Sequence, residues 1–186
     1  MITTITRNMT DAEYLLFDET ALVKHELYHS NLLEMPGATI YHERLIKNLY
    51  RLLSVLTFPE NMELFFSGMK LNIPGRNSYF YPDLMVGFAD NLDPRFLQDA
   101  IFITEVLSPS TRSFDMADKF IEYRNLNSLE YYLLAEPEYY HVTLHSKTHQ
   151  GVWMSETYRK LTDIIKLPLI GAELPLSEIY KGLEWD

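Results

Sequence analysis

The sequence has no cysteine. Disulfides, thiolate metal ligands and a cysteine nucleophile are therefore excluded. No charged-then-apolar leader opens it, and no apolar run approaches the ~20 residues that a membrane span needs. The expectation is a cytoplasmic protein with no membrane segment. A Gly-rich phosphate loop, a His-Glu-x-x-His pair and a nucleophile elbow are also missing, as are internal repeats and low-complexity stretches. Positive charge is scarce: 16 Lys and Arg stand against 26 Asp and Glu, a formal net charge of −10. Nucleic-acid binders usually carry a basic footprint, because phosphate contacts release counterions. The charge here opposes a long polyanionic partner. A local basic rim would have to be assembled from Lys70, Arg76, Arg112, Lys119 and Arg124, which are scattered along the chain.

What is present points to a packed domain. Apolar residues make up 47% of the 186, which excludes a disordered class and suits a single domain over 1–186. Thr10 and Glu13 form a capping box ahead of a short helix through Tyr14–Phe17. His25–Tyr28 and Leu32–Met35 flank Ser30-Asn31 as a hairpin, which Pro36-Gly37 stops. The longest helix is predicted from Ala38 to about Thr57, with Leu45, Ile46, Leu49, Leu52, Leu53 and Leu56 at helical spacing. Strands are predicted at Met62–Phe66, Met69–Ile73, Leu129–Leu134, Tyr139–Leu144 and Gly151–Thr157, a helix at Phe114–Asn125, and a terminal helical turn at Ser177–Tyr180. The order indicates an α+β domain with a mixed sheet.

The segments 81–87 and 100–107 are short, apolar and β-prone, and Asn91, Asp93 and Pro94 break the chain between them. A symmetric hairpin puts Asp83 opposite Glu105, with Cβ atoms roughly 5 Å apart. Two carboxylates that close repel unless a cation or a proton is shared between them, and that arrangement suits a divalent metal. The competing reading leaves both acids solvated on strand ends that never meet, since a one-residue slip in register separates them. Asp115 and Lys119, at i,i+4 beside Met116, Phe120 and Tyr123, read by periodicity as a surface ion pair worth about 0.3–0.5 kcal/mol. His42 shares a face with Leu45, Ile46 and Leu49, as a partly buried helix histidine would. Tyr139-Tyr140, Trp153 and Tyr158 suit either base stacking or core and dimer packing, and packing is preferred.

Pro82-Asp83, then Glu105-Val106-Leu107-Ser108-Pro109-Ser110-Thr111-Arg112, then Asp115-x-x-x-Lys119-x-x-x-Tyr123 resembles the Uma-two family. That family is described as putative endonucleases within the PD-(D/E)XK nuclease superfamily. Met9–Tyr14, Glu26, His42 and Glu130–Leu134 extend the resemblance over nearly the whole chain. It implies a restriction endonuclease-like αβββαβ core with an extra N-terminal hairpin and C-terminal strands. The chain departs from the superfamily at Leu107, where a lysine is expected; in the Uma-two pattern Lys119 takes its place.

The resemblance implies catalytic Asp83, Glu105 and Lys119, with Mg²⁺ or Mn²⁺ held by Asp83, Glu105 and the Val106 carbonyl. Glu43, His42 and Asp115 are accessory candidates, and Glu26 a weaker one. The implied activity is metal-dependent hydrolysis of DNA phosphodiester bonds by a homodimer. Two alternatives stay open. One is a catalytically silent nuclease-fold homodimer that acts as a binding module, and the other is a phosphodiesterase acting on RNA or a small nucleotide.

Overall fold

The computed structural model describes residues 4–5, 7–59, 61–89 and 93–185. Asn91, a predicted breaker, lies outside them. In chain order the strands are β1 (Thr4–Ile5), β2 (His25–Tyr28), β3 (Asn31–Glu34), β4 (Met62–Phe66), β5 (Lys70–Ile73), β6 (Ser78–Phe80), β7 (Leu84–Phe88), β8 (Phe96–Leu97), β9 (Ala100–Val106), β10 (Tyr131–Ala135), β11 (Val142–Lys147), β12 (Trp153–Tyr158), β13 (Ile164–Leu167) and β14 (Ala172–Pro175). The helices are α1 (Asp11–Asp18), α2 (Ile40–Leu53), a π-helix (Phe114–Lys119) that runs into α3 (Phe120–Tyr123), and α4 (Leu176–Ile179). No helix among the described residues is long and apolar enough to cross a membrane.

Two six-stranded sheets carry the domain, in the orders β1-β3-β2-β6-β5-β8 and β12-β11-β10-β9-β7-β4. The second is mixed: β9 and β10 run parallel, while β7 and β9 are antiparallel. Parallel neighbours need a crossover, and here the π-helix and α3 supply it. β4 and β5, adjacent in sequence, separate into different sheets, with β4 pairing β7 and β5 pairing β6 and β8. The segments predicted at 81–87 and 100–107 pair as expected, but their connection is no tight turn, since β8 joins the first sheet.

One face of the second sheet packs Leu84, Val86, Phe102 and Leu133 against Leu45 and Leu49 of α2 and against Ile165 and Leu174 of the β13–β14 hairpin. On the other face Met85, Ile103 and Tyr132 meet Tyr123 of α3 and Leu71, Ile73 and Phe80 of the first sheet. A third cluster of Tyr14, Leu15, Leu27, Leu32 and Tyr79 seats α1 on the first sheet. Gly87 sits where the β7–β9 register shifts, and a Cβ there would lie 2.5 Å from Leu97 Cδ1 and 3.2 Å from the Asp99 carbonyl oxygen. The shift lies between Val86 and Gly87, so the pairing from Leu84 to Val86, next to Asp83, runs unbroken.

Helix α1 has the expected capping box between Thr10 and Glu13. Helix α2 is shorter than its apolar pattern, starting at Ile40 with Thr39 as N-cap and ending at Leu53. The segment predicted as one α-helix over 114–125 is π-helical through Lys119 before it tightens. β6, β8 and the β13–β14 hairpin add to the predicted elements.

Candidate active site

Strand β9 is buried along its whole length, and Glu105, near its C-terminal end, is its one charged residue. Leu84 pairs with Thr104, so Asp83 and Glu105 fall one residue further along the same ladder. Two backbone contacts fix them there. The Asp83 amide donates to Glu105 Oε2 at 3.4 Å, and the Val106 amide donates to Asp83 Oδ2 at 2.7 Å.

Glu105 Oε1 faces the crossover helix, where Lys119 Nζ donates at 3.1 Å and Tyr123 Oη at 2.8 Å. The same ammonium reaches Glu26 Oε1 at 2.9 Å and Asp115 Oδ1 at 3.3 Å. Lys119, Glu26, Glu105 and Asp115 are all nearly sealed from solvent, with side-chain exposures of 4–6%. The Asp115–Lys119 pair is thus no surface ion pair. Met116, predicted on the apolar stripe, is instead half exposed. A π-turn is wider than an α-turn, which brings residues four apart more nearly into line, and both charged side chains face inward. Phe80 and Phe114 lie against the ammonium, with ring centroids 5.7 and 5.9 Å away.

Helix α2 contributes His42 from its first turn, placed there by the Thr39 cap on its amide. His42 Nε2 lies 3.4 Å from Asp83 Oδ2. Glu43 reaches only His42 Nδ1, at 3.8 Å, and its side chain is 63% exposed. Among the described residues, His42 Nδ1 and Thr104 Oγ1 are buried with no hydrogen-bond partner. His42 stands beside Asp83, whereas Thr104, one residue before Glu105 in the strand, points to the other face of the sheet.

Electrostatics follow from crowding and burial. Burial raises Glu105 well above the usual carboxylate range; Lys119 offsets part of this, while Asp83, Asp115 and Glu26 add to it. Burial likewise raises Glu26 against the opposing pull of Lys119. Burial would lower Lys119, but Glu105, Glu26 and Asp115 outweigh it and push it well above the ordinary lysine value. His42 is lowered by burial and raised by its bond to Asp83 and the charges around it, for a net upward shift.

These groups line a cleft of 490 Å³. Asp83, Glu105, Val106, Lys119, Asp115, His42, Glu43 and Glu26 all reach it. The scattered cations that a basic rim would need do not gather here: of them only Lys119 lines the cleft. Lys70 is held by Asp18, Arg76 by Glu122 and Arg112 by Glu136. Trp153 packs edge-on against Phe120, and Tyr140 against Tyr180 and Trp185, as packing residues rather than stacking platforms. Sequence reasoning missed the Tyr123 hydroxyl as a Glu105 partner and ranked Glu26 too low. Tyr123 was visible in the Asp-x-x-x-Lys-x-x-x-Tyr spacing, whereas Glu26 reaches the site only through the packing of two sheets.

Among the described residues, no three His, Asp or Glu side chains are arranged to hold a metal ion by themselves. The donor set suits a hard cation all the same. Its donors are oxygens, negative charge is in excess, and Mg²⁺ ordinarily keeps several waters beside one or two carboxylates.

The family model described as "Uma2: Putative restriction endonuclease" matches residues 11–177. Two uncharacterized proteins of Synechocystis sp. are similar along most of their length. One is 36% identical over 159 residues, covering 83% of this chain and 89% of the relative. The other is 30% identical over 181 residues, covering 94% and 93%. A crystal structure from Anabaena variabilis, titled a putative nuclease belonging to DUF820, superposes with a TM-score of 0.77 over 95% of this chain and 99% of that one. At 13% identity the likeness to it is one of fold.

Proposed function

Because the chain belongs to the Uma2 family, we propose that it is a metal-dependent nuclease hydrolysing nucleic-acid phosphodiesters, centred on Asp83 and Glu105. The observation that carries this reading is the crowding of Glu26, Asp83, Glu105 and Asp115 around one ammonium and one imidazole, in a cleft open to solvent. Carboxylates so crowded are relieved by a cation or a proton, and a divalent ion in the cleft would supply that relief.

Asp83, Glu105 and the Val106 carbonyl would hold Mg²⁺ or Mn²⁺. When bound, such an ion polarises a phosphoryl oxygen and makes water more acidic. In the hydrolysis a water oxygen bonds to phosphorus, the bond from phosphorus to the leaving sugar oxygen breaks, and that oxygen takes a proton. Lys119 stays an ammonium at any working pH, since its carboxylate neighbours hold its proton, so it serves as no base. Donating to Glu105 and ion-paired with Glu26 and Asp115, it is a positioning residue. It holds Glu105 Oε1 on the helix side together with Tyr123 and turns Oε2 toward Asp83. His42 Nε2 lies against Asp83 Oδ2 and steadies the second carboxylate.

A second reading draws on the same pairing of Lys119. A catalytically silent nuclease-fold module needs no free ammonium. Cleavage of single-stranded and supercoiled DNA with Mg²⁺ or Mn²⁺ separates the two. The active reading predicts metal-dependent cleavage that falls at least about 100-fold in Asp83→Asn and Glu105→Gln. Equal background in all three proteins supports the silent module.

A further inference from the structure

At 490 Å³ the cleft falls within the range of about 300–1,000 Å³ typical of small-ligand pockets. Besides its buried carboxylates, the rim carries Glu34, Glu43 and Glu138, all exposed. Among the described residues its lysines and arginines are Lys24 and Lys119, and Lys119 is paired with three carboxylates. Lys24 is different. It is exposed, donates to the Ser67 carbonyl, and lies 5.2 Å from the centre of the Tyr81 ring. It has no carboxylate partner among the described residues, so its charge is free to meet an anion. Met35, Pro36, Ala38, Tyr41 and Pro109 give the wall an apolar part, beside the hydroxyls of Thr39, Ser108, Ser110 and Thr111.

This lining discriminates between forms of nucleic acid. Duplex DNA carries one negative charge per ~1.7 Å of axis. A continuous duplex would bring the phosphates of both strands toward Glu34, Glu43 and Glu138, with Lys24 alone to answer them. Like charges placed together cost more than one lysine returns. A single nucleotide brings one phosphate and one base. Its phosphate would be met by Lys24, and its base by the apolar part of the wall, where stacking and burial are sequence-tolerant.

Resting on the nuclease reading above, we infer that the cleft takes a single unpaired nucleotide and excludes continuous duplex, with Lys24 as the cation that meets its phosphate. The nucleotide can come from a single-stranded segment or from a free dinucleotide, and the two share this chemistry.

The test compares cleavage, with Mn²⁺, of a relaxed covalently closed duplex circle, a single-stranded oligonucleotide of matching sequence and a dinucleoside monophosphate. The inference predicts kcat/KM at least about 100-fold higher on the oligonucleotide than on the closed circle. Cleavage of the dinucleotide as well assigns the site to small nucleotides; cleavage of the oligonucleotide alone assigns it to strands. Both support the inference. Equal cleavage of the closed duplex overturns it and leaves the nuclease reading standing. Cleavage of none of the three overturns the nuclease reading itself. Lys24→Ala, an exposed change that spares the fold, is expected to raise KM about tenfold with kcat within about twofold, the loss of one charge-assisted contact. The pair Glu34→Lys and Glu138→Lys is expected to narrow the discrimination against duplex about tenfold. A ratio unmoved by that charge reversal contradicts the electrostatic basis of the inference.

Discussion

Lys119 Nζ lies 2.9 Å from Glu26 Oε1, a bond that ties the crossover helix of one sheet to a strand of the other. It is one of three carboxylate contacts that this ammonium makes out of solvent. A buried ion pair gains little over a well-packed apolar substitute, but removing one partner leaves uncompensated charge behind.

Lys119→Met therefore strands Glu26, Glu105 and Asp115 together. Its expected cost is about 3–5 kcal/mol in urea unfolding at neutral pH. A loss below about 1 kcal/mol would mean that the three acids are not held ionised around this lysine.

Glu105→Gln acts in the opposite sense. Burial raises the Glu105 carboxyl above its usual 4.5. The folded state therefore binds the proton more readily than the unfolded one. The stability this group contributes is complete below about pH 4.5 and is lost as pH rises through the folded-state value. Glutamine has no such loss. The variant is expected to be about 1 kcal/mol more stable than the parent at pH 8 without divalent ions, and the gap closes as pH falls toward 4.5. A gap that widens with falling pH contradicts this.

Glu122 carries the reverse sign. Burial would raise it, but Arg76 Nε at 3.0 Å and Nη2 at 2.8 Å, with His29 Nε2 at 2.9 Å, outweigh burial and hold it below its usual 4.5. Its contribution is present above about pH 4.5 and lost as pH falls through the folded-state value. Glu122→Gln is expected to cost about 1–3 kcal/mol at pH 7, with the difference from the parent shrinking below pH 4.5. Chemical denaturation across pH 3–7 checks it.

The sequence disclosed the Asp83–Glu105 opposition because strand alternation and an antiparallel ladder are local rules, and the ladder next to Asp83 is unbroken. The depth of Lys119 was not legible. An i,i+4 acid–lysine pair looks the same on a surface helix as on a buried one, and nothing in the spacing announces a π-turn. Glu26 was harder still, since only the packing of the first sheet against the crossover helix carries it to the lysine. The β13–β14 hairpin escaped notice because Pro168 and Gly171, the latter in a left-handed turn, interrupt its apolar pattern with a short 3₁₀ segment. The resemblance to the Uma-two pattern singled out Lys119 where periodicity did not, but that its amine reaches the carboxylates came only with the tertiary structure.

Calorimetric titration of Mn²⁺ into the protein at neutral pH tests the central claim, that Asp83 and Glu105 form a divalent-cation site, most directly. One site per chain is expected in the parent, abolished or weakened at least about 100-fold in Asp83→Asn and in Glu105→Gln, and kept in Glu43→Gln, whose exposed carboxylate stands apart from the pair. Undiminished binding in both carboxylate variants, or no binding by the parent at millimolar Mn²⁺, would contradict the account.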